Sequence, residues 1–415
     1  MSQEKKGRFT LSANDGGFEP EDIRKNRLSM EPSTKKKYLP VIIVSSVALA
    51  ALLLAGALTL IYKKPGVFSP EKKSEGVETT ITDSEKKVLP GGAIENIHLK
   101  RGIESYHKGY LNDAIAEFNE ALESDAADRE KAMALTYIGI IHDDRGDFTR
   151  AIESYNRALT YDRKNPIIYR NLSLAYRHQK NYEKAMQYAE KAVDVDDKNS
   201  NNRILLGNIL FDRGDYAGAA REFEAALKIE PDSGAALYNL AIALLKKGDE
   251  VAAVEYLKRA GASDKLGEIA GLAYGKLGVI FTRRGDFDMA EKYLKLASSV
   301  TPSDAVVRYN LGIVYLKQNK NEDALREFMK AEELGKGDSS VLEGLGEAYF
   351  SLKDYNRSID TYQKLLEGNR RNVKVLSRIA EIYYEKGELD RAYEFYHKIT
   401  TLEPASENAR LAYLN

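Results

Sequence analysis

The sequence predicts an all-α chain: one transmembrane helix, then a right-handed α-solenoid of about nine helical hairpins. Three observations carry that prediction. From residue 95 to residue 404 the sequence matches itself at intervals of 34 or 37 residues. Residues 39–62 are a run of 24 residues without a charge. Small and aromatic residues recur at fixed places in each interval, as two packed helices require.

Composition sets the limits. Of the 415 residues, 43% are hydrophobic and 30% charged, enough apolar surface to build a core. Net charge is −1, and residues 95–415 carry 47 basic against 52 acidic residues. No basic stripe is visible, so nucleic acid is not an expected partner. The absence of cysteine removes disulfides, thiolate metal sites and cysteine nucleophiles.

Residues 1–38 are polar and aperiodic, as expected of a disordered tail. Residues 39–62 read LPVIIVSSVALAALLLAGALTLIY. As a helix this run is about 36 Å long, against a hydrocarbon core of about 30 Å. Tyr38 and Tyr62 flank it as interfacial aromatics, and lysines follow at both ends. A lipid bilayer is therefore an expected partner through residues 39–62. Six basic residues (Arg24, Lys25, Arg27, Lys35, Lys36 and Lys37) precede it within 15 positions, and Lys63, Lys64, Lys72 and Lys73 follow it. That excess puts the N-terminus in the cytoplasm and the repeats on the extracytoplasmic side, periplasmic in a bacterium. Residues 63–94, broken by Pro65, Pro70, Pro90, Gly91 and Gly92, form a flexible linker.

The repeats divide as 95–131, 132–165, 166–199, 200–233, 234–270, 271–304, 305–338, 339–372 and 373–404, with 405–415 as a C-terminal cap. Unit four shows the pattern most fully: GNILFDRGDYAGAAREFEAALKIEP, from Gly207 to Pro231. The small residue of each first helix falls at Gly102, Gly139, Ser173, Gly207, Ala241, Gly278, Gly312, Gly346 and Ala380, where the two helices of a hairpin cross. Aromatics such as Tyr155, Phe223 and Phe328 are expected to fill the space between neighbouring hairpins. Gly109, Gly146, Gly214, Gly248, Gly285 and Gly387 end first helices in a left-handed conformation. Lys180, Asn319 or Lys320, and Lys353 must cover that place in units three, seven and eight. Ser358 replaces the usual alanine in unit eight, which predicts looser packing there. The two 37-residue intervals place insertions near Asp125–Lys131 and Gly261–Glu268, at inter-unit turns.

These residues resemble the tetratricopeptide pattern, L-G-x₂-Y…A-x₃-F…P in units of 34. The resemblance implies that the first helices line a concave groove that receives a peptide or helix of a protein partner. On that register Asn171, Asn239 and Asn310 share the sixth position of a first helix, where an amide can both donate to and accept from a peptide backbone. Three positions further lie Ile103, Ile140, Leu174, Ile242, Val279 and Ile313, an aliphatic stripe beside the amide row. Some family members clamp a C-terminal carboxylate over three units. Here only Lys374 and Arg378 match that clamp, while Gly344, Tyr309 and Ile313 depart from it, which argues against chaperone-tail binding.

Nothing points to catalysis. The five histidines show no ligand spacing, and no phosphate loop, nucleophile elbow or zinc motif occurs. The acidic pair Asp143–Asp144 reads as a solvated helix end. The expectation is a membrane-anchored scaffold or adaptor that binds protein through its groove, needing no cofactor, metal or catalytic residue. Two alternatives share the fold: a cytosol-facing receptor for polypeptides, and a structural protein that forms homo-oligomers.

Overall fold

The computed structural model describes residues 94–263 and 267–403. The run at 39–62, the tail, the linker up to residue 93 and the cap at 405–415 lie outside the described residues. Among the described residues no helix is long and apolar enough to cross a membrane, and no strand occurs.

Among the described residues eighteen helices pair into nine hairpins. The first helices are Ile97–His107, Asp128–Asp144, Pro166–His178, Ser200–Asp212, Gly234–Lys247, Glu268–Arg284, Ala305–Lys317, Ser339–Ser351 and Val373–Glu385. The second helices are Leu111–Glu123, Phe148–Tyr161, Tyr182–Val195, Tyr216–Ile229, Glu250–Ser263, Phe287–Val300, Asn321–Glu333, Tyr355–Gly368 and Leu389–Leu402. Each hairpin packs internally and against its sequence neighbours, so stability is a chain of nearest-neighbour terms.

Short polar residues start most of these helices. Asn165, Asn199, Asp215, Asp304, Asp354 and Asn372 each accept a hydrogen bond from a backbone N–H of the first turn. Where the chain turns back, Lys180, Asn319 and Lys353 adopt φ of 58°, 59° and 61°, as the glycines do in other units. The ambiguity in unit seven thus resolves to Asn319. For a lysine this conformation costs about 1 kcal/mol.

The core repeats one contact. A Cβ built on Gly207 would stand 2.5 Å from the Phe223 ring, and one on Gly139 would stand 2.4 Å from the Tyr155 ring. The rings therefore lie over the glycine of their own hairpin. Phe328 covers both Gly312 in its own unit and Gly344 in the next. Serine is accommodated at the crossing by bonding across it: Ser173 Oγ donates to Ala185 O and Ser358 Oγ to Gly346 O, each at 2.7 Å. Ser358 is fully buried, so the looser packing expected there is not what its side chain shows.

The two long intervals do not lengthen a turn. The first helices of units two and six begin at Asp128 and Glu268 and run 17 residues, one turn longer than the 13 of most others. The limits drawn at 132 and 271 therefore fall inside helices. In unit two the added turn carries Glu130, whose Oε1 accepts from the backbone N–H of Glu95 (2.6 Å) and of Asn96 (2.9 Å) at the start of unit one. In unit six, Tyr274 reaches back across the added turn to donate to Gly261 O at 2.7 Å.

Candidate functional site

Consecutive first helices touch along the array and form one wall. Side chains bridge them. Arg177 Nε donates to Asp212 Oδ2 at 2.5 Å, Asn239 Nδ2 to Asn208 Oδ1 at 3.0 Å, and Lys374 Nζ to Glu343 Oε2 at 2.8 Å. Arg378 binds Glu347 on the helix before it and, through Nη1, Glu381 on its own helix at 2.6 Å. Burial works against the charge of Arg378, but Glu347 outweighs it and holds the guanidinium above its ordinary value.

The wall is tighter than the sequence implied. Asn239, Ile140 and Ile242 have no accessible surface, Asn171 and Leu174 keep 1%, and Ile313 keeps 7%. Asn310 and Val279 are half-buried, as is Ile103. The expected row of free amides is therefore, at Asn239, an amide committed to the preceding first helix. The side chains close together because the units stack with small spacing, and the sixth position points at the neighbouring first helix. The register did not reveal how much of each residue the adjacent helix covers.

Two features escaped the sequence. Asp143, read as solvated, is buried, with His178 Nδ1 at 3.4 Å from its Oδ1. Tyr155 lies in the same region, and burial, assisted by Asp143 and Asp144, pushes its hydroxyl far above the ordinary phenol range. Arg170 is the second. It sits on the first helix of unit three, 6% exposed, and burial lowers its guanidinium below the usual arginine value. A repeat position that is Glu343 in unit eight and arginine here was the available signal.

The wall offers hydrogen-bonding amides, apolar surface and a few charges. Among the described residues no group of three or more His, Asp or Glu is placed to hold a metal ion.

Comparison with known proteins agrees with this architecture. The chain is 37% identical over 90 residues to the heat-shock protein cognate co-chaperone sgt12 of Aspergillus fumigatus, covering 22% of this chain and 26% of that protein. It is 30% identical over 140 residues to a heat shock protein sti1 homolog of Schizosaccharomyces pombe, covering 33% of this chain and 22% of that protein. The chain thus spans about a quarter of the length of these relatives. A structure of the APC/C hetero-tetramer Cut9–Hcn1 aligns over 79% of this chain and 78% of its own, at 17% identity and a TM-score of 0.40. The tetratricopeptide repeat model matches residues 99–166, 136–202, 204–266, 276–340, 309–373 and 343–407, and on that match, together with the hairpins and their glycine–ring crossings, the chain belongs to the tetratricopeptide repeat family.

Proposed function

We propose that this chain is a non-enzymatic scaffold that holds a peptide-like segment of a partner protein against the wall of its first helices. The observation that carries the reading is the wall itself: helices joined side to side, with amide, aliphatic and cationic side chains. Relatives named as a co-chaperone and a heat shock protein support a role in handling other polypeptides. The half-buried Asn310 and Val279 are the points of the expected groove that a partner meets first.

The proposal includes a bilayer anchor. The uncharged run 39–62 is long enough to span, and the excess of positive charge before it places the N-terminus in the cytoplasm and the wall across the membrane. Protease protection of the repeats in intact cells tests that orientation.

The groove is tested by placing a photoreactive residue at Asn310, at Val279 and, as a control on an outward surface, at Glu224. Crosslinks to partner polypeptides are expected from the first two and not from the third. Equal capture from Glu224 would refute the groove. Capture of the chain's own mass would point to self-association.

A further inference from the structure

Cations on the inner wall occur in two conditions. Arg177, Lys374 and Arg378 each reach a carboxylate on a neighbouring first helix. Arg170 does not. Its Nε is enclosed without a hydrogen-bond acceptor, and its side chain makes no hydrogen bond or ion pair with any described residue, although the residue is 6% exposed. The carboxylate whose charge it feels, Asp196, is otherwise engaged: its Oδ2 accepts from Asn199 Nδ2 at 3.3 Å.

The repeat explains what is missing. Glu343 occupies the place of Arg170 in unit eight, and Lys374 of the following helix pairs with it. In unit three the following helix offers Asn201 at the place of Lys374. An ion pair in one part of the wall has thus become a cation beside an amide in another. A second donor stands on the same wall. Asn208 Nδ2 is enclosed without an acceptor, while Asn208 Oδ1 accepts from Asn239.

A guanidinium enclosed without a hydrogen-bonded counter-charge is costly, and the chemistry that relieves it is an anion. The chemistry fits one carboxylate, since Asp196, the one charge recorded as acting on Arg170, makes no hydrogen bond to it. We propose that Arg170 anchors an acidic side chain of an extended partner segment. This deepens the groove reading and rests on it.

The test uses the full chain in detergent, as wild type and as Arg170→Met and Arg170→Lys, to select from a displayed library of random dodecapeptides. Wild type is expected to enrich peptides with Asp or Glu at one fixed position. A synthetic copy should bind about tenfold more weakly when that acid becomes its amide, and equally more weakly to Arg170→Met. Combining the two changes should add no further loss. Arg170→Lys should retain part of the preference. Arg170→Met removes a buried charge, so its melting temperature should equal or exceed that of wild type, which separates lost binding from lost folding. Selected peptides without an acidic preference, or a preference that survives Arg170→Met, overturn this inference and leave the groove standing. No peptide selected, together with no crosslink from Asn310 or Val279, overturns both.

Discussion

Units eight and nine and units three to five use the same helix positions for opposite ends. At the C-terminal end of the array each wall cation has a carboxylate from this chain: Lys374 has Glu343, and Arg378 has Glu347 and Glu381. In the middle, Asn208 and Asn239 share one bond, and Arg170 and the Asn208 amide are left with donors unspent. The backbone is alike in both regions. The difference shows that a repeat fixes geometry while single substitutions decide whether a wall satisfies itself or needs a partner.

The largest test of this contrast is a pair of matched substitutions. Arg378→Met strands Glu347 and is expected to cost about 2–3 kcal/mol in urea unfolding, discounted for the partial exposure of the pair. Arg170→Met is expected to stabilise, by about 1 kcal/mol. If both destabilise equally, the contrast fails.

Packing should not distinguish the two regions. Gly207→Ala drives a methyl into Phe223, and Gly346→Ala drives one to 2.7 Å from Tyr362. Each is expected to cost about 2 kcal/mol by thermal or chemical unfolding. Gly275, where a Cβ meets only Val307 at 3.7 Å, should accept alanine without loss.

Acid should act on ion pairs more than on amides. Burial works to raise the Glu291 carboxyl, but Lys295, Lys320 and Gln318 outweigh it and bring it down to about 2. Its folded value is depressed, so its contribution is complete above the ordinary glutamate value of 4.5 and fades as pH falls toward about 2. Glu291→Gln should therefore cost about 1 kcal/mol at neutral pH, with the difference from wild type vanishing in strong acid. A constant difference across that range would contradict the assignment.

The smallest effect compares Lys180 in unit three with Lys353 in unit eight. Both are left-handed, and replacing either by glycine should gain about 0.5–1 kcal/mol. Equal gains would show that turn chemistry is independent of wall chemistry.

Much of the fold was readable because it depends on residue type at a fixed spacing. Gly207 with Phe223, and Gly146 or Gly214 at the turns, announce their roles by recurring. What depends on two residues from different units was harder to see. Lys374 and Arg378 were noticed as matches to a clamp, whereas their partners Glu343 and Glu347, 31 positions earlier, belong to the preceding helix. The added turns at Asp128 and Glu268 were invisible as helix because an insertion near a boundary reads equally well as loop. Of the candidate site, the wall was legible and the accessibility of its residues was not. Side-chain cover is set by the neighbouring helix, which the register of one unit does not contain. Asp143 illustrates this: a charged residue near a helix end is usually solvated, and here the next hairpin closes over it.

The carboxylate of Glu130 has a mechanical consequence. It grips the two backbone N–H groups that lead into the first helix, and it belongs to the second hairpin. Tension arriving along the chain from upstream is therefore shared with the second hairpin before it can peel the first. An array loaded at that end meets a reinforced joint where a simple stack of hairpins would begin to unzip.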